Sequence, residues 1–462
     1  MRSRTVLLLA LCAGATLLAE AGGDGCASPS QECSAGPPPP PLGACIPDGE
    51  TWGGGSVTDC CGGFAFGAYC VCLPVGATAQ QSAIECCTRT TGPGNLVCSP
   101  TPPAASMYCF GNNGFGQLGV GDTTDRNTPV AVSGDFIFSH IAAGRAHSCG
   151  ILSNGSALCW GLGTTGQLGN GGSSSRLNPS ALSGGHHFSY ISAGFGHSCG
   201  LLLNGSALCW GVGSSGQRGD GASTAIVNTA VAVSGGHTFS RITAGGSHTC
   251  GILASNGSAL CWGEGSYGAT GLGDSTNTNA PTAVSGDFTF SEIAAGRRHS
   301  CGVLVNGSAL CWGLGFGGQL GDGMNITSAV PVAVSGGHTF SKISAGSISD
   351  GSAHSCGILV NGSALCWGQG TYGQLGNAAN AVALVPEAVF GDHAFAQIAC
   401  GATHTCGILV NGSALCWGDG AYGMRGSGES SSRVNTPVAV VGGFAYQSIA
   451  AGSAHTCALV AS

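Results

Sequence analysis

Short apolar runs, separated by glycine-rich segments, fill most of the chain. In residues 149–161 the runs CGIL and ALCWG lie on either side of SNGS. Asn-Gly between apolar runs is the strongest short-range signal for a β-hairpin. With Asn154 in the turn, Cys149 lies opposite Cys159, and Gly150 lies opposite Leu158. Both faces of this hairpin are apolar or small, which predicts a sheet that is covered on both sides.

This hairpin pattern recurs along the chain. The tripeptide His-Ser/Thr-Cys begins at seven positions: His147, His197, His248, His299, His354, His404 and His455. Each of the first six copies is followed by a second apolar run that contains Cys-Trp-Gly, whereas the seventh lies near the end of the chain. Tyr108-Cys109-Phe110-Gly111, at the start of the repeats, supplies the missing run. The pattern predicts a ring in which the two ends of the array complete one unit.

Each repeat has room for two further strands. A glycine-rich turn such as GTTGQLG (residues 163–169) follows the hairpin, then usually Pro-x-x-Val, and then Phe-x-x-Ile-x-Ala-Gly. Two more strands complete a four-stranded unit. The predicted fold is therefore all-β: a seven-bladed β-propeller with four-stranded antiparallel blades, preceded by a small disulfide-rich module.

The repeat resembles that of the regulator of chromosome condensation family, whose units carry Gly-x-x-His, then Trp-Gly, then Gly-Gln-Leu-Gly. The resemblance covers residues 107–462 and implies a seven-bladed propeller closed by its two termini, in which the repeated histidine is a structural hydrogen-bonding residue. The added cysteine pairs look more like the extracellular propeller of crinkly-type receptor kinases. This sequence departs from the repeat at YGAT (267–270), at GMRG (423–426) and in the insert 347–352, where we expect altered turns.

The cysteines form three groups. Besides Cys12 in the amino-terminal apolar run, fourteen of the 26 fall in the repeats, ten lie in residues 26–98, and Cys400 is single within the propeller. We predict the bridges Cys149–Cys159, Cys199–Cys209, Cys250–Cys261, Cys301–Cys311, Cys356–Cys366, Cys406–Cys416 and Cys109–Cys457. Such a set requires an oxidising compartment. Metal binding by His-x-Cys and a second cysteine is the alternative, which we disfavour because seven identical sites would be needed.

Cys400 replaces the alanine of Ile-x-Ala-Gly in the other repeats. A buried free thiol is the simplest interpretation, because unpaired cysteine behaves as a small apolar residue. A reactive or intermolecular thiol is the alternative. We predict no metal ligand and no cofactor.

The amino-terminal part has a different composition. Arg2 and Arg4 precede an apolar run over residues 6–18 that ends in small residues, which predicts a signal peptide over residues 1–21. We predict that residues 22–44 form a proline-rich linker with two cysteines, residues 45–106 a small disulfide-rich module, and residues 107–462 the propeller. Ten cysteines lie between residues 26 and 98, and the sequence leaves their connectivity open.

Charged residues make up 7% of the chain, and the net charge is −8. The single lysine is Lys342, and the arginines are scattered except for Arg297-Arg298. No basic stripe can follow a phosphate backbone, so we predict no nucleic-acid partner. After signal cleavage we also predict no membrane span, because no later apolar run is long enough.

Seven sequons are possible N-glycosylation sites. Six begin Asn-Gly-Ser and one begins Asn-Ile-Thr: Asn154, Asn204, Asn256, Asn306, Asn361, Asn411 and, for the last kind, Asn325. The alternative is that Asn-Gly is simply the turn dipeptide. Histidines outside the repeated motif, such as His140, have no nucleophile or carboxylate pair beside them in the sequence, so we predict no catalytic residues.

These observations favour a secreted, non-enzymatic binding scaffold. We expect a monomer whose variable turns, over residues 122–128, 173–178, 275–279 and 429–435, recognise an extracellular protein or a glycan. The alternatives are a structural protein of an extracellular coat or wall, attached through Cys400 or the amino-terminal module, and a propeller enzyme that acts on polysaccharide or peptide.

Overall fold

The computed structural model describes residues 86–89, 96–99, 107–346, 353–430 and 432–461. The chain divides into two units, Met1–Thr101 and Pro102–Ser462. In the first unit, β1 (Cys86–Arg89) pairs with β2 (Leu96–Ser99) in an antiparallel sheet. The predicted signal peptide, the proline-rich linker, most of the disulfide-rich module and the insert 347–352 lie outside the described residues. None of the described residues forms a helix with the length and hydropathy of a membrane span.

The second unit consists of short strands, numbered here in chain order and grouped into blades. It begins with β3 (Met107–Gly111) and β4 (Arg126–Ala131). Blade 1 is β5 (Phe138–Ala143), β6 (His147–Leu152), β7 (Ala157–Gly161) and β8 (Arg176–Ala181). Blade 2 is β9 (Phe188–Ala193), β10 (His197–Leu202), β11 (Ala207–Val212) and β12 (Ile226–Ala232). Blade 3 is β13 (Phe239–Ala244), β14 (His248–Leu253), β15 (Ala259–Gly263) and β16 (Thr278–Ala283).

The remaining blades follow the same order. Blade 4 is β17 (Phe290–Ala295), β18 (His299–Leu304), β19 (Ala309–Gly313) and β20 (Ser328–Ala333). Blade 5 is β21 (Phe340–Ala345), β22 (His354–Leu359), β23 (Ala364–Gly368) and β24 (Ala383–Ala388). Blade 6 is β25 (Phe395–Cys400), β26 (His404–Leu409), β27 (Ala414–Asp419) and β28 (Arg433–Ala439). Blade 7 joins β29 (Tyr446–Ala451) and β30 (His455–Val460) to β3 and β4.

The blades form a closed ring, as the repeat predicts. All seven sheets are four-stranded and antiparallel. The innermost strands β5, β9, β13, β17, β21, β25 and β29 contact one another in sequence, and β29 contacts β5 again. Backbone hydrogen bonds cross from blade to blade near the axis, for example from the N–H of Arg145 to the carbonyl of Gly194 (3.1 Å). The prediction of a seven-bladed propeller is confirmed.

The Asn-Gly turns set the register of the central hairpins. In blade 1, Cys149 pairs with Cys159, and Gly150 with Leu158, as the sequence predicts. The turn residue Gly155 has a φ of 86°, a conformation that glycine adopts without strain. The second and third strands are almost entirely buried, whereas the outermost strands are half-exposed. The ring therefore buries each central hairpin between neighbouring blades.

The hydrophobic core lies between the blades. Trp210 of blade 2 packs against Cys149, Cys159 and Phe188, and all six tryptophans of the Cys-Trp-Gly motif are fully buried. The last glycine of Gly-Gln-Leu-Gly allows this packing, because a Cβ on Gly169 would lie 2.8 Å from the Trp210 ring. The conserved spacing of glycine and tryptophan within the repeats thus reflects close contact between adjacent blades.

Two turns that depart from the repeat are altered. Residues Ser266–Gly268 and Ala421–Gly423 form short 3₁₀ helices. Arginine occupies the buried leucine position of the turn at two places: Arg425, within the GMRG departure named from the sequence, and Arg218, which the sequence analysis did not single out. Arg218 is fully buried, donates to the carbonyl of Gly211 (3.2 Å) and pairs with Asp220 (3.0 Å). Arg425 is also fully buried and donates to the carbonyl of Ser432 (2.7 Å).

Candidate functional site

Disulfide bonds join the second and third strands of every blade. The structure brings together each of the seven cysteine pairs proposed from the repeat, with Cα atoms 4.0–4.1 Å apart. Cys109 and Cys457, which are 348 residues apart in sequence, pair across the strands β3 and β30 that close the ring. The other six bridges each span 10 or 11 residues. All fourteen sulfurs belong to buried residues.

Cys400 is a buried free cysteine on the innermost strand of blade 6. Its thiol lies 3.6 Å from the carbonyl oxygen of Ser344, and burial raises its pKa to about 12. Cys400 lies close to His354 and Cys356, but Cys356 is bonded to Cys366. A thiol with this pKa carries almost no thiolate at neutral pH and reacts slowly.

The seven repeated histidines link each blade to the next. Each ring Nε2 lies 2.7–2.9 Å from a hydroxyl oxygen of the following blade, and His455 reaches Ser148 to close the circle. Each of these hydroxyls also lies 2.8–3.1 Å from a backbone carbonyl. Since a carbonyl only accepts, the hydroxyl donates to it and must accept from the histidine. The geometry therefore assigns the proton to Nε2.

These histidines are neutral. Burial lowers the pKa of His147 and His248 to about 4, and of His197, His299, His354, His404 and His455 to about 3. Every one of them is at most 1% exposed. A charged imidazole at this depth would lose its hydration without gaining a counter-ion. The histidine circle is therefore a structural element and has no access to a substrate.

One face of the propeller carries the Asn-Gly turns, and we call it the hairpin face. All seven sequon asparagines are exposed, six of them in these turns and Asn325 in the β19–β20 loop of the opposite face. In the six Asn-Gly-Ser turns, the asparagine Oδ1 accepts the backbone N–H of the serine two residues on, at 2.9–3.0 Å. Four of these asparagines follow an exposed aliphatic residue: Leu203, Val305, Val360 and Val410, which are 69–74% exposed.

The opposite face carries the loops between the first and second strands and between the third and fourth strands, and we call it the turn face. The variable segments 122–128, 173–178, 275–279 and 429–435 connect third to fourth strands and belong to this face, with residue 431 outside the described part. Aspartates stabilise several of these turns: Asp122 accepts the N–H of Thr124 (2.9 Å), and Asp274 that of Thr276 (2.9 Å). These hydrogen bonds lower the pKa of both carboxyl groups.

Aromatic side chains recur on the turn face. Five lie in the third-to-fourth-strand turns of different blades: Phe115, Tyr267, Phe316, Tyr372 and Tyr422. Except for Tyr372, which is partly buried, they are 40–63% exposed.

Arginines stack on the aromatic rings of this face. The Arg298 guanidinium lies 5.1 Å from the centre of the Tyr267 ring, and Arg433 lies 4.3 Å from that of Tyr372. Closer to the axis, Arg145 and Arg297 lie 4.2 and 4.6 Å from the centre of the Phe195 ring. Arginine over an aromatic ring is a favourable cation–π pair.

A central cavity of about 720 Å³ lies inside the innermost strands. Its wall includes the third residue of each of these strands, a set that we call the channel ring: His140, Tyr190, Arg241, Glu292, Lys342, Gln397 and Ser448. The residue differs in every blade, although the flanking positions are nearly constant. From the sequence, His140 was named only as a histidine outside the repeated motif and Lys342 only as the single lysine, and neither was assigned to a site. The other five were missed, because the signal becomes visible only when this position is aligned across the blades.

Charged residues of the channel ring are paired. Glu292 accepts from Arg241 and from Lys342, each at 2.8 Å. The Glu292 side chain is 13% exposed, whereas Arg241 and Lys342 are 39% and 47% exposed. The rings of His140 and Tyr190 lie 4.4 Å apart, and burial lowers the pKa of His140 and raises that of Tyr190. The arc from His140 to Lys342 thus combines a neutral aromatic pair with two cations that share one carboxylate.

The chain is similar to known proteins in both sequence and structure. A profile of the Regulator of chromosome condensation (RCC1) repeat matches residues 105–151, 154–201, 256–303 and 361–408. A second profile of this repeat matches residues 138–167, 188–217, 239–269, 290–319 and 395–423. A search among curated proteins finds no match.

Solved structures share the fold at low sequence identity. Human WBSCR16 is 21% identical, with a TM-score of 0.69 over 78% of this chain and 99% of that one. Prp20p from Saccharomyces cerevisiae, described with its binding properties to Gsp1p and histones, is 18% identical, with a TM-score of 0.66 over 78% and 92% of the two chains.

The CRINKLY WD40 ectodomain from the Arabidopsis thaliana receptor kinase ACR4 is also a structural neighbour, at 20% identity and a TM-score of 0.44 over 70% of this chain and 92% of that one. The repeat profiles together match more than half of the residues, and their matches fall on successive blades of the ring. The chain belongs to the regulator of chromosome condensation repeat family.

Proposed function

We propose that this protein is a secreted, non-enzymatic binding scaffold that recognises an extracellular protein through its turn face. The observation that carries the proposal is the set of exposed aromatic residues with stacked arginines on that face. Tyrosine and arginine are enriched among the residues that dominate protein interfaces. Prp20p, which shares the fold, is described as binding proteins, and this supports a similar use of the propeller here.

Comparison of the same turn position in different blades shows which residues the fold requires there. Thr165 and Ser215 occupy the turn position that holds Tyr267 and Tyr422 in other blades, so an aromatic residue is not needed to form the turn. Tyr267 and Tyr422 also adopt left-handed backbone conformations, with φ of 63° and 60°. Residues other than glycine adopt these at a cost of about 1–3 kcal/mol, and such strain concentrates at functional sites. Both observations favour a binding role for these tyrosines.

We expect this binding to depend on specific turn-face residues. In a capture experiment from the native medium, Tyr422→Ala and Arg145→Glu should each lower recovery of the partner at least tenfold. Loss of a buried interfacial anchor costs about 2 kcal/mol or more. Val410→Ser on the hairpin face is the matched control and should leave recovery unchanged. A partner that is lost only with Val410→Ser would place the interface on the other face and contradict the proposal.

Secretion is supported by the predicted signal peptide and by the disulfide bonds, which persist in oxidising compartments. We further propose that the seven sequons carry N-linked glycans. All seven asparagines are exposed, and glycans on the hairpin face would cover the adjacent Leu203, Val305, Val360 and Val410. Six of the seven glycans would lie on the hairpin face, and the seventh, on Asn325, would lie in the β19–β20 loop of blade 4 on the turn face. The turn face of the other blades would remain the open surface for a protein partner.

Glycosylation has a direct test. Treatment of the secreted protein with a peptide N-glycosidase should lower its mass and convert each modified asparagine to aspartate, which peptide mass spectrometry locates. We expect conversion at the six Asn-Gly-Ser sites and at Asn325. Unmodified asparagines throughout would mean that the dipeptide serves only the turn, and the hairpin face with its aliphatic residues would then compete with the turn face for the partner.

The structural coat and enzymatic alternatives have less support. A coat protein linked through Cys400 needs an accessible thiol, whereas Cys400 is 6% exposed and burial raises its pKa to about 12. The repeated histidines, which could have served as general bases, are buried and already bonded to the next blade. We therefore propose a monomeric binding protein whose partner is a protein or, with weaker support, a glycan.

A further inference from the structure

The channel ring departs from the repeat in a way that the fold does not explain. Positions that carry the architecture, such as the histidine, the cysteine pair and the tryptophan, are the same in almost every blade. The third residue of the innermost strand faces the same backbone environment seven times, yet it is His, Tyr, Arg, Glu, Lys, Gln or Ser. All seven are polar, and all seven line one cavity. Because the blades impose one structural requirement at this position, the differences between them point to something other than folding.

The arc over blades 3 to 5 carries an excess of positive charge. Glu292 is largely buried and accepts from Arg241 and Lys342, which remain 39% and 47% exposed. One carboxylate therefore balances one of two cations, and the other charge is available to the cavity. The remaining donors of the guanidinium and the ammonium group match the acceptors of an anionic ligand, because the pairs with Glu292 occupy few of them.

The arc continues into an aromatic wall. Tyr190 of blade 2 precedes Arg241 of blade 3 in the ring, and its ring lies 4.4 Å from that of His140. The Nε2–H of His140 donates a hydrogen bond to the carbonyl of Ile191 at 3.0 Å, which holds the imidazole in place. A ligand whose carboxylate reached Arg241 and Lys342 would place its body against these two rings. The cavity of about 720 Å³ falls within the range of small-molecule sites.

From this arrangement we propose that the central cavity binds a small organic acid, with Arg241 and Lys342 binding its carboxylate, and His140 and Tyr190 packing against a planar body. Glu292 positions the two cations and competes with the ligand for them. The four residues that would contact the ligand lie on the innermost strands, and the proposal does not depend on the protein partner proposed above.

Benzoate is a suitable probe, and benzamide is its uncharged counterpart of nearly equal shape. Binding to the full chain is measured by ligand-observed NMR titration. Benzoate should bind saturably and benzamide at least tenfold more weakly. Inorganic phosphate, which lacks the planar body, should also bind at least tenfold more weakly than benzoate. Equal binding of benzoate and benzamide, equal binding of phosphate, or no binding of benzoate up to its solubility limit would each overturn the proposal.

Three variants test the assigned roles, because two should weaken benzoate binding and one should strengthen it. Arg241→Gln and Lys342→Gln should each weaken benzoate binding about tenfold, because each removes a cation that contacts the carboxylate. Glu292→Gln should strengthen binding several-fold, because it removes the competing carboxylate. Arg433→Gln, which removes a cation outside the cavity, is the matched control and should change nothing. An unchanged melting temperature shows that each variant is folded, and weaker binding by Glu292→Gln would overturn the assigned roles.

Discussion

Acidification from pH 7 to pH 4 is expected to lower the unfolding free energy of the propeller by far more than it lowers that of a typical protein. The seven repeated histidines have pKa values of about 3 to 4 in the folded protein, whereas an unfolded histidine has a pKa of about 6.5. The unfolded chain therefore binds more protons below pH 6.5. The stabilisation is fully present above pH 6.5 and is lost as the pH falls toward the folded values.

The magnitude follows from the pKa differences. Each pKa unit corresponds to about 1.4 kcal/mol, so each histidine contributes a loss of about 3 kcal/mol at pH 4. Seven of them reach on the order of 20 kcal/mol as an upper limit, which exceeds the 5–15 kcal/mol of a typical domain. The histidine circle links every blade to the next, so its protonation weakens all of the interfaces together.

Urea unfolding followed by the fluorescence of the six buried tryptophans checks this expectation. The unfolding midpoint should fall steeply between pH 6.5 and pH 4, and the slope should correspond to the uptake of at least seven protons. His248→Gln should reduce that uptake by one and serves as the internal control. A midpoint that stays constant down to pH 4.5 would contradict the neutral, buried state of the histidines.

The fold was predictable because the sequence pattern that indicates each blade recurs in seven units. Asn154 in a two-strand pattern sets the pairing of Cys149 with Cys159, and six other units repeat or complete the same pattern. The half-unit around Cys109 and the half-unit around Cys457 are complementary, which identifies a ring rather than an open array. The hairpin pairing and the ring closure depend on short stretches of chain and on the regular spacing of the repeats, and both can be recognised in the sequence alone.

The candidate sites were less predictable because they arise between blades. The stacking of Arg145 and Arg297 on Phe195 joins residues from three blades, and no local pattern indicates it. Arg218 was not identified as a buried residue, because its partners Gly211 and Asp220 become visible only with the turn geometry. For the channel ring a signal did exist in the sequence, since the position after Phe-Ser in most inner strands differs in every repeat.

Loss of the bridge between Cys109 and Cys457 is expected to cost about twice as much stability as loss of any other bridge. In the chain-entropy model, a bridge that closes a loop of 348 residues contributes about 6 kcal/mol, and one that closes 10 residues contributes about 3 kcal/mol. The larger effect has a structural counterpart, because β3 and β30 are the strands through which the two ends of the chain share blade 7.

The double variant Cys109→Ser/Cys457→Ser should therefore lose about 6 kcal/mol of unfolding free energy in urea under non-reducing conditions, and Cys199→Ser/Cys209→Ser about 3 kcal/mol. Both pairs are fully buried and join the same two strands of a blade, so the packing lost with the sulfurs is similar and the difference isolates the ring closure. Hydrogen exchange should show β3 and β30 opening first in the former variant. Equal losses, or a peptide map of the unreduced wild type in which Cys457 is free or joined to another cysteine, would mean that the ring is held by its hydrogen bonds and core contacts alone.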